Sequence, residues 1–350
     1  MHELKEVSKA KHRILEKYFP AWARILGKYH RLVYVDCFAG AGTYDNNEPG
    51  SPIIIYRLAK KLVNENKIKG ISLLFIEKDI RSAEQLQKNL EAEDDGNKKI
   101  YFNVNHKDAK NFTEILSKII PPKWPAFFFI DPYGYPMSLP IIKSILKLPK
   151  REVLLNLMWF GINRNLENPK TITSITTMFG HSNWQKHPFM QTNSVEREKL
   201  FLEYVKAEID SKFAPDFKIK FSPEEGMGTD RTKYYLIHFS NHPKAMLIMK
   251  QIMHGLGDEE GTFDYSADKQ GILFSRKPKL SELREYLIKN FCGKSITISF
   301  EQLQIDTCDL PSVEKEYRKT IKDMEGEYLD VQRTESQTTG ITGKNIIAFY

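Results

Sequence analysis

Four acids carry the chemical promise of this chain: Asp36, Glu77, Asp108 and Asp131, each following an apolar or β-branched run. The first closes Val33-Tyr34-Val35-Asp36 and opens onto Cys37-Phe38-Ala39-Gly40-Ala41-Gly42. Such a run reads as a buried strand turning tightly into a helix, because closely spaced glycines let the backbone reverse and let a nucleotide-like ligand approach it. Glu77 ends the run 71–76, Asp108 follows the run 99–104, and Asp131 ends Ala126-Phe127-Phe128-Phe129-Ile130, the most continuous apolar strand of the chain. On parallel neighbouring strands all four carboxylates would project from one edge, whereas random placement would scatter them between both ends.

The spacing discriminates between cofactors. A dinucleotide fold wants a third glycine three positions after the second and an acid about 20 residues further on. Asp45 stands where that glycine should be, and Glu77 lies 35 residues past Gly42, so NAD is disfavoured. An acid at the strand end is instead the pattern of an S-adenosylmethionine site, with Asp36, Phe38, Gly40 and Gly42 around the amino-acid portion of the cofactor. Glu77 would accept hydrogen bonds from the ribose hydroxyls, because a carboxylate suits a vicinal diol, and Asp108 from the adenine amino group. The competing reading of the first motif is a glycine turn that merely packs strand to helix.

Asp131, Pro132 and Tyr133 are the catalytic candidates, because Asp131-Pro132-Tyr133 resembles the Asp/Asn-Pro-Pro-aromatic motif of amino-group methyltransferases. Such chemistry needs an acceptor oxygen to hold the amino group with its lone pair facing the methyl, and an aromatic face on which an extruded base stacks. The second proline is missing and Gly134 stands where the ring is expected, which brings in Tyr135 as a substitute and leaves a plain tight turn as the alternative. Carbon-5 cytosine methylation is disfavoured, since no cysteine follows Pro132; Cys37 lies under the cofactor loop instead.

Strands and helices must alternate to bring these groups together. Strands at 31–36, 71–76, 99–104, 126–130 and 152–159, with helices at 53–65, 81–92 and 112–119 and a further helix before the fifth strand, predict a parallel, doubly wound α/β sheet. Ser51-Pro52 has the composition of an N-cap with proline at the first helical position. Ahead of them, Ile14, Leu15, Tyr18, Phe19, Trp22, Ile25 and Leu26 follow helical spacing over 5–27, with Pro20 expected to divide the helix in two. The pattern reads as a basic helix covering a sheet edge, with a nucleic-acid-facing helix as the second reading. Residues 160–193 read as an irregular insertion over the active edge, followed by a helix at 194–212 and an antiparallel strand pair at 217–221 and 234–240. A helix at 242–256 carries Met246, Leu247, Met249 and Met253 as core, and 257–279 reads as a linker. Helices at 280–291, 300–304 and 311–324 and strands at 295–298, 327–333 and 345–350 have the order of a winged helix-turn-helix, with 334–343 as the wing. The expected domains are therefore a Rossmann-like methyltransferase-type domain over 1–270 and a winged-helix-like domain over 271–350.

The composition, 41% hydrophobic and 28% charged, is that of a soluble globular protein. Without an apolar run of 18 residues, and with charge in Met1-His2-Glu3-Leu4-Lys5, neither a membrane span nor a signal peptide is expected and the default location is cytoplasmic. Cys37, Cys292 and Cys308 are too few and too dispersed for a disulfide framework or a zinc site; they read as buried small hydrophobes, and no metal is expected. A net charge of +7 permits a polyanion partner. Residues 1–31 hold eight Lys or Arg against three Glu, whereas 271–350 hold twelve of each sign.

Lys11-His12-x-Ile14-Leu15-x-Lys17-Tyr18, Asp36-x-Phe38-Ala39-Gly40-x-Gly42, Glu48-Pro49-Gly50-Ser51-Pro52, Phe75-Ile76-Glu77-Lys78-Asp79, Phe129-Ile130-Asp131-Pro132-Tyr133-Gly134 and Asn163-Arg164 together resemble the bacterial three-Cys-motif partner protein family, TcmP, over about residues 9–255. The resemblance implies a methyltransferase-like Rossmann fold, a following winged-helix segment and a partner protein carrying a three-cysteine motif; it supplies no substrate. It also accommodates Gly134, which belongs to that family's Asp-Pro-aromatic-Gly turn. The expected activity is S-adenosylmethionine-dependent methyl transfer to an amino group in DNA or RNA. The alternative is a non-catalytic module that binds nucleic acid or the three-Cys partner. The electroneutral tail favours that alternative, because a winged helix gripping phosphates usually carries a basic face.

Overall fold

The computed structural model describes residues 6–111, 113, 118, 120–132, 134, 137–192, 194–221, 231–257, 262–263, 280–310, 312–333 and 340–350. Runs rich in Val, Ile, Leu and Phe become β1 (Leu32–Asp36), β2 (Ile71–Glu77), β3 (Ile100–His106), β4 (Ala126–Ile130) and β5 (Arg151–Leu157). These five are parallel to one another, and β1, β4 and β5 are buried along their whole length. Burial on both faces is why they read as continuous apolar runs rather than as alternating ones. The sheet continues through β7 (Thr232–Phe239), β6 (Asp216–Lys220) and β8 (Thr262–Phe263), in the order β3-β2-β1-β4-β5-β7-β6-β8. β7 runs antiparallel to both β5 and β6, as the expected antiparallel pair requires, and wedges itself between them. Chain order reverses between β1 and β4, and a ligand crevice opens beyond the carboxyl ends at such a point.

One face is covered by α1 (Glu6–Gly27), α2 (Ser51–Asn64), α3 (Ile80–Glu93) and α8 (Pro243–His254). The other carries α4 (Leu139–Leu146), α5 (Trp159–Asn163), α6 (Ile172–Phe179) and α7 (Ser194–Ile209). α1 does not cover an edge as the sequence suggests: Tyr18 and Trp22 pack on Phe127 of β4 and Phe19 packs on Tyr34 of β1, the middle of the sheet. Nor does Pro20 divide it, because Tyr18, Phe19, Trp22 and Ala23 anchor both sides of the missing hydrogen bond in the core. Residues 160–192 are not wholly irregular: between turns they carry α5, α6 and two short 3-10 turns whose Trp159, Phe179, Trp184 and Phe189 fill the second face, and residue 193 lies outside the described residues. Met246, Met249 and Met253 are core, with Leu247 half-buried. Thr262 and Phe263 of the expected linker are a strand paired with β6, and the remainder of 258–279 lies outside the described residues. Most of the expected helix at 112–119 does so too.

The last part of the chain has its own apolar cluster, centred on Leu287, Phe300, Leu303, Ile321 and Ile347. It comprises α9 (Leu280–Phe291), β9 (Thr297–Ser299), α10 (Phe300–Asp306), α11 (Glu314–Met324), β10 (Leu329–Gln332) and β11 (Ile346–Phe349). β11 lies between β10 and β9 and is antiparallel to both. Residues 334–339 of the expected wing lie outside the described residues. The Lys250 ammonium of α8 donates to the carbonyls of Cys308, at 2.8 Å, and Leu310, fastening this part to the sheet's first face. Of the three free cysteines Cys37 alone is buried; Cys292 and Cys308 are half-buried, which corrects the expectation for those two. No helix among the described residues is long and apolar enough to cross a membrane.

Candidate functional site

The parallel register puts Asp36 and Glu77 on the last residues of β1 and β2, and Asp131 one residue beyond β4, all at the carboxyl edge. The loop from Cys37 to Gly50 is tied down on both sides, Cys37 N–H to the Phe129 carbonyl at 2.9 Å and Ala39 N–H to the Ile76 carbonyl at 3.0 Å. Gly40 and Gly42 have φ of +62° and +82°, which side chains rarely adopt. At Gly42 a Cβ would come within 2.7 Å of Leu86, and at Gly40 it would meet open space. Gly42 therefore lets the loop pack on α3, and Gly40 leaves its backbone accessible.

Gly40 N–H donates to Glu77 Oε2 at 2.8 Å, and Asp79 N–H to Glu77 Oε1 at 2.8 Å. An ionised carboxylate accepts at about four lone-pair positions, so Glu77 holds the glycine turn and keeps acceptor capacity toward the crevice. Asp79 itself caps α3 through Ser82 N–H at 2.8 Å.

Asp36 is fully buried. Its Oδ2 accepts from Ser51 Oγ at 2.7 Å and its Oδ1 from Phe38 N–H at 3.3 Å. Burial pushes its carboxyl up first of all, the Ser51 hydrogen bond opposes that, and the nearby Asp131 charge adds to it, reaching about 7. The cap of α2 is Gly50, with no side-chain cap bond; Ser51 is the first helical residue and points its hydroxyl at Asp36, which corrects its reading as the cap. Phe38 is half-buried and packs on the second-face core.

Asp108 stands two residues past β3 and is turned to other partners: Lys78 Nζ at 2.9 Å and Lys110 N–H at 3.0 Å. The Lys78 hydrogen bond foremost holds its carboxyl below the usual range. Pro132 is buried and Gly134 is exposed at φ +97°. Tyr133 and Tyr135 lie outside the described residues.

At Asp131 the site gains two residues that strand-end reasoning misses. Asn156 of β5 donates its Nδ2 to Asp131 Oδ1 at 2.6 Å. Lys11 of α1 forms an ion pair with Asp131 Oδ2, with only 14% of its side chain exposed. Burial works against the Lys11 charge, yet Asp131, Tyr44 and Asp36 outweigh it and hold the ammonium above its ordinary range. The next residue, His12, is buried against Tyr44 with ring centroids 5.9 Å apart, and burial followed by the Lys11 charge lowers its imidazole to about 4. Both missed residues leave a signal in the sequence. Lys11 precedes Ile14, Leu15 and Tyr18 by three, four and seven positions, which puts a lysine in the apolar stripe of a helix. Asn156 is the one polar side chain in Val153-Leu154-Leu155-Asn156-Leu157.

The edge therefore divides into an accessible glycine backbone beside a carboxylate with acceptor capacity left over, and a carboxylate held by two nitrogen donors. No protein-family model matches this chain, and neither does any curated protein. Among solved structures it is similar to protein LPL1258 of Legionella pneumophila, of DUF519, with 16% identity over 72% of this chain and 93% of that one, at a TM-score of 0.43. It is also similar to Trm1 of Pyrococcus horikoshii in complex with S-adenosylmethionine, with 10% identity over 96% of this chain and 90% of that one, at 0.36. Magnesium protoporphyrin IX methyltransferase of Synechocystis PCC 6803, holding S-adenosylhomocysteine, gives 12% identity over 69% and 89%, at 0.35. At such TM-scores the likeness is loose, and the chemistry has to be read from the chain's own strand order and side chains.

Proposed function

We propose that this chain is an S-adenosylmethionine-dependent methyltransferase that acts on an amino group in nucleic acid. The observation that carries the reading is Glu77 holding the Gly40 N–H at the end of β2 with acceptor capacity left over. One carboxylate then both fixes the turn and offers itself to a ribose diol, while the bare Gly40 backbone leaves room for the amino-acid end of the cofactor. Asp36 acts beneath that turn, holding Phe38 and Ser51 in place. When bound, S-adenosylmethionine supplies an electrophilic methyl on a sulfonium. The chain's contribution is orientation: Asp131, fixed by Asn156, presents Oδ2 to the N–H of an amino group and so aims its lone pair. To Tyr133, which follows the buried Pro132 in the sequence, we assign the stacking role. Asp108 is assigned to the adenine amino group, which requires Lys78 to release it.

Nucleic acid is favoured by α11. At 100° per residue, Lys315, Lys319 and Lys322 fall on one line of that helix, exposed and without a hydrogen bond or ion pair to any described residue. The arginines nearby are paired, Arg318 with Glu314 and Arg333 with Glu325. An electroneutral stretch thus presents a basic face, as expected of a winged helix-turn-helix domain beginning near residue 271. The rival reading, a non-catalytic module for nucleic acid or a three-Cys-motif partner, draws on the occupied state of Asp131, both of whose oxygens have partners. Isothermal titration calorimetry tests the first reading: binding of S-adenosylmethionine at micromolar to submillimolar concentration is expected. No heat at millimolar cofactor overturns it.

A further inference from the structure

Lys11 stands in the acceptor half of the site, and nothing in the proposed chemistry uses it. A buried lysine normally loses its charge, because taking an ammonium out of water is costly. Here the charge is kept by what surrounds it. Asp131 Oδ2 is in direct contact, the nearby Asp36 adds attraction, and His12, the adjacent ring, is held neutral. Asn156 donates to Asp131 Oδ1 and Lys11 to Oδ2, so each carboxylate oxygen already has a donor. The amide oxygen of Asn156 is itself buried without a partner among the described residues, a second acceptor in the same pocket. A subsite with that carboxylate oxygen and an orphaned amide oxygen calls for a group with more than one N–H. Lys11 fills only the carboxylate part of it, with a nitrogen at the end of a flexible stem anchored to the second turn of α1 rather than to the strand ends.

We propose that Lys11 is a built-in occupant of the acceptor subsite, its ammonium standing where the amino group of an incoming base is received, so that acceptors are admitted only if their N–H donors can replace it. The inference rests on the methyltransferase reading for the word acceptor. It makes Lys11 a specificity-determining residue. An amino-bearing base supplies two N–H donors, one for the Asp131 Oδ2 that Lys11 vacates and one for the orphaned Asn156 Oδ1. A carbonyl-bearing base would leave Asp131 unpaired and facing Asp36, a penalty that rejects it. Lys11 then swings outward on its own stem, and α1 stays seated through Tyr18, Phe19 and Trp22.

The experiment is chemical rescue. Lys11→Ala deletes the atoms of n-propylamine, so n-propylammonium should refill the subsite. The full-length Lys11→Ala protein is expected to melt several degrees below the wild type. Propylammonium at millimolar concentration should raise that temperature saturably, while n-propanol should not, and Lys11→Ala/Asp131→Asn should not respond. If Lys11→Ala does not fold alone, its refolding yield with and without propylammonium gives the same reading. Cytidine, which carries an amino group, should shift the melting of Lys11→Ala, whereas uridine, which carries a carbonyl there, should not. Absence of rescue, or rescue that persists in Lys11→Ala/Asp131→Asn, overturns the proposal. Rescue by propylammonium with no response to cytidine also overturns it, leaving a structural ion pair. Cofactor calorimetry on the wild type is independent of all of these outcomes, so loss of the methyltransferase reading and loss of this one are distinguishable.

Discussion

The two halves of the carboxyl edge are assembled in different ways. Between β1 and β2 the joints run from backbone N–H groups to carboxylates: Asp36 to Phe38 and Glu77 to Asp79 over two positions, Gly40 to Glu77 over 37. Beyond β4 the joints are side chain to side chain, Lys11 to Asp131 over 120 positions and Asn156 to Asp131 over 25. A ligand common to many proteins can be met by backbone and a few fixed acids. An acceptor peculiar to one protein needs side chains recruited from wherever the fold brings them near.

If the halves are separable in this way, substitutions in one should spare the other. The largest effect is expected at Glu77: Glu77→Ala should lower S-adenosylmethionine affinity about 100-fold or more by calorimetry, since it removes the diol acceptor and frees the turn at once. Asn156→Leu should reduce methyl incorporation into nucleic acid by about tenfold or more while leaving cofactor affinity within about threefold. A larger loss of cofactor affinity in Asn156→Leu would mean that the edge is one coupled site. Changing Lys315, Lys319 and Lys322 together to Gln should lower the salt-dependence slope of duplex binding by about two to three, read by fluorescence anisotropy, with cofactor affinity unmoved.

The halves also titrate with opposite sign. Asp36, raised to about 7 from 3.8, stabilises the fold below about pH 4, and that contribution is lost as pH rises through about 7. His12, lowered to about 4 from 6.5, contributes above about pH 6.5 and loses it as pH falls through about 4. Between about pH 4 and 6.5 the two slopes cancel. Asp36→Asn should therefore make stability rise with pH across that window, by up to about 1.4 kcal/mol per unit, and His12→Gln should make it fall. Urea unfolding at several pH values decides; curves for both variants parallel to the wild type would break the assignment. The smallest effect is expected from Ser51→Ala, which takes one hydrogen bond from buried Asp36 and should cost about 1–3 kcal/mol.

The same division governs what can be read from the sequence. Glu77 and the glycine turn announce themselves because strand, acid and glycine are contiguous, and the parallel order follows from alternation. The acceptor half is legible only as anomalies, a lysine on an apolar helix face and an asparagine in an apolar strand, and neither anomaly says what it faces. Ser51 looks like a cap because serine before proline at a helix start usually is one; its real partner is fixed by the tertiary approach of β1. Pro20 looks like a break because local rules price the lost hydrogen bond and cannot see the aromatic rings that hold both sides. The helices of 160–193 escape notice because each is too short for its periodicity to emerge.

Asn156 also sets an order of completion during synthesis. Domains fold largely from the N-terminus as the chain emerges, and the residues of the glycine turn, Glu77 and α3 all precede residue 131. The turn is fastened only when Phe129 of β4 arrives, and α1 finds its seat on Phe127 of the same strand. Asp131 follows at once, but its Asn156 partner comes 25 residues later, with β5. A nascent chain paused in that interval would hold Asp131 without its asparagine, and the arrival of β5 completes the pair.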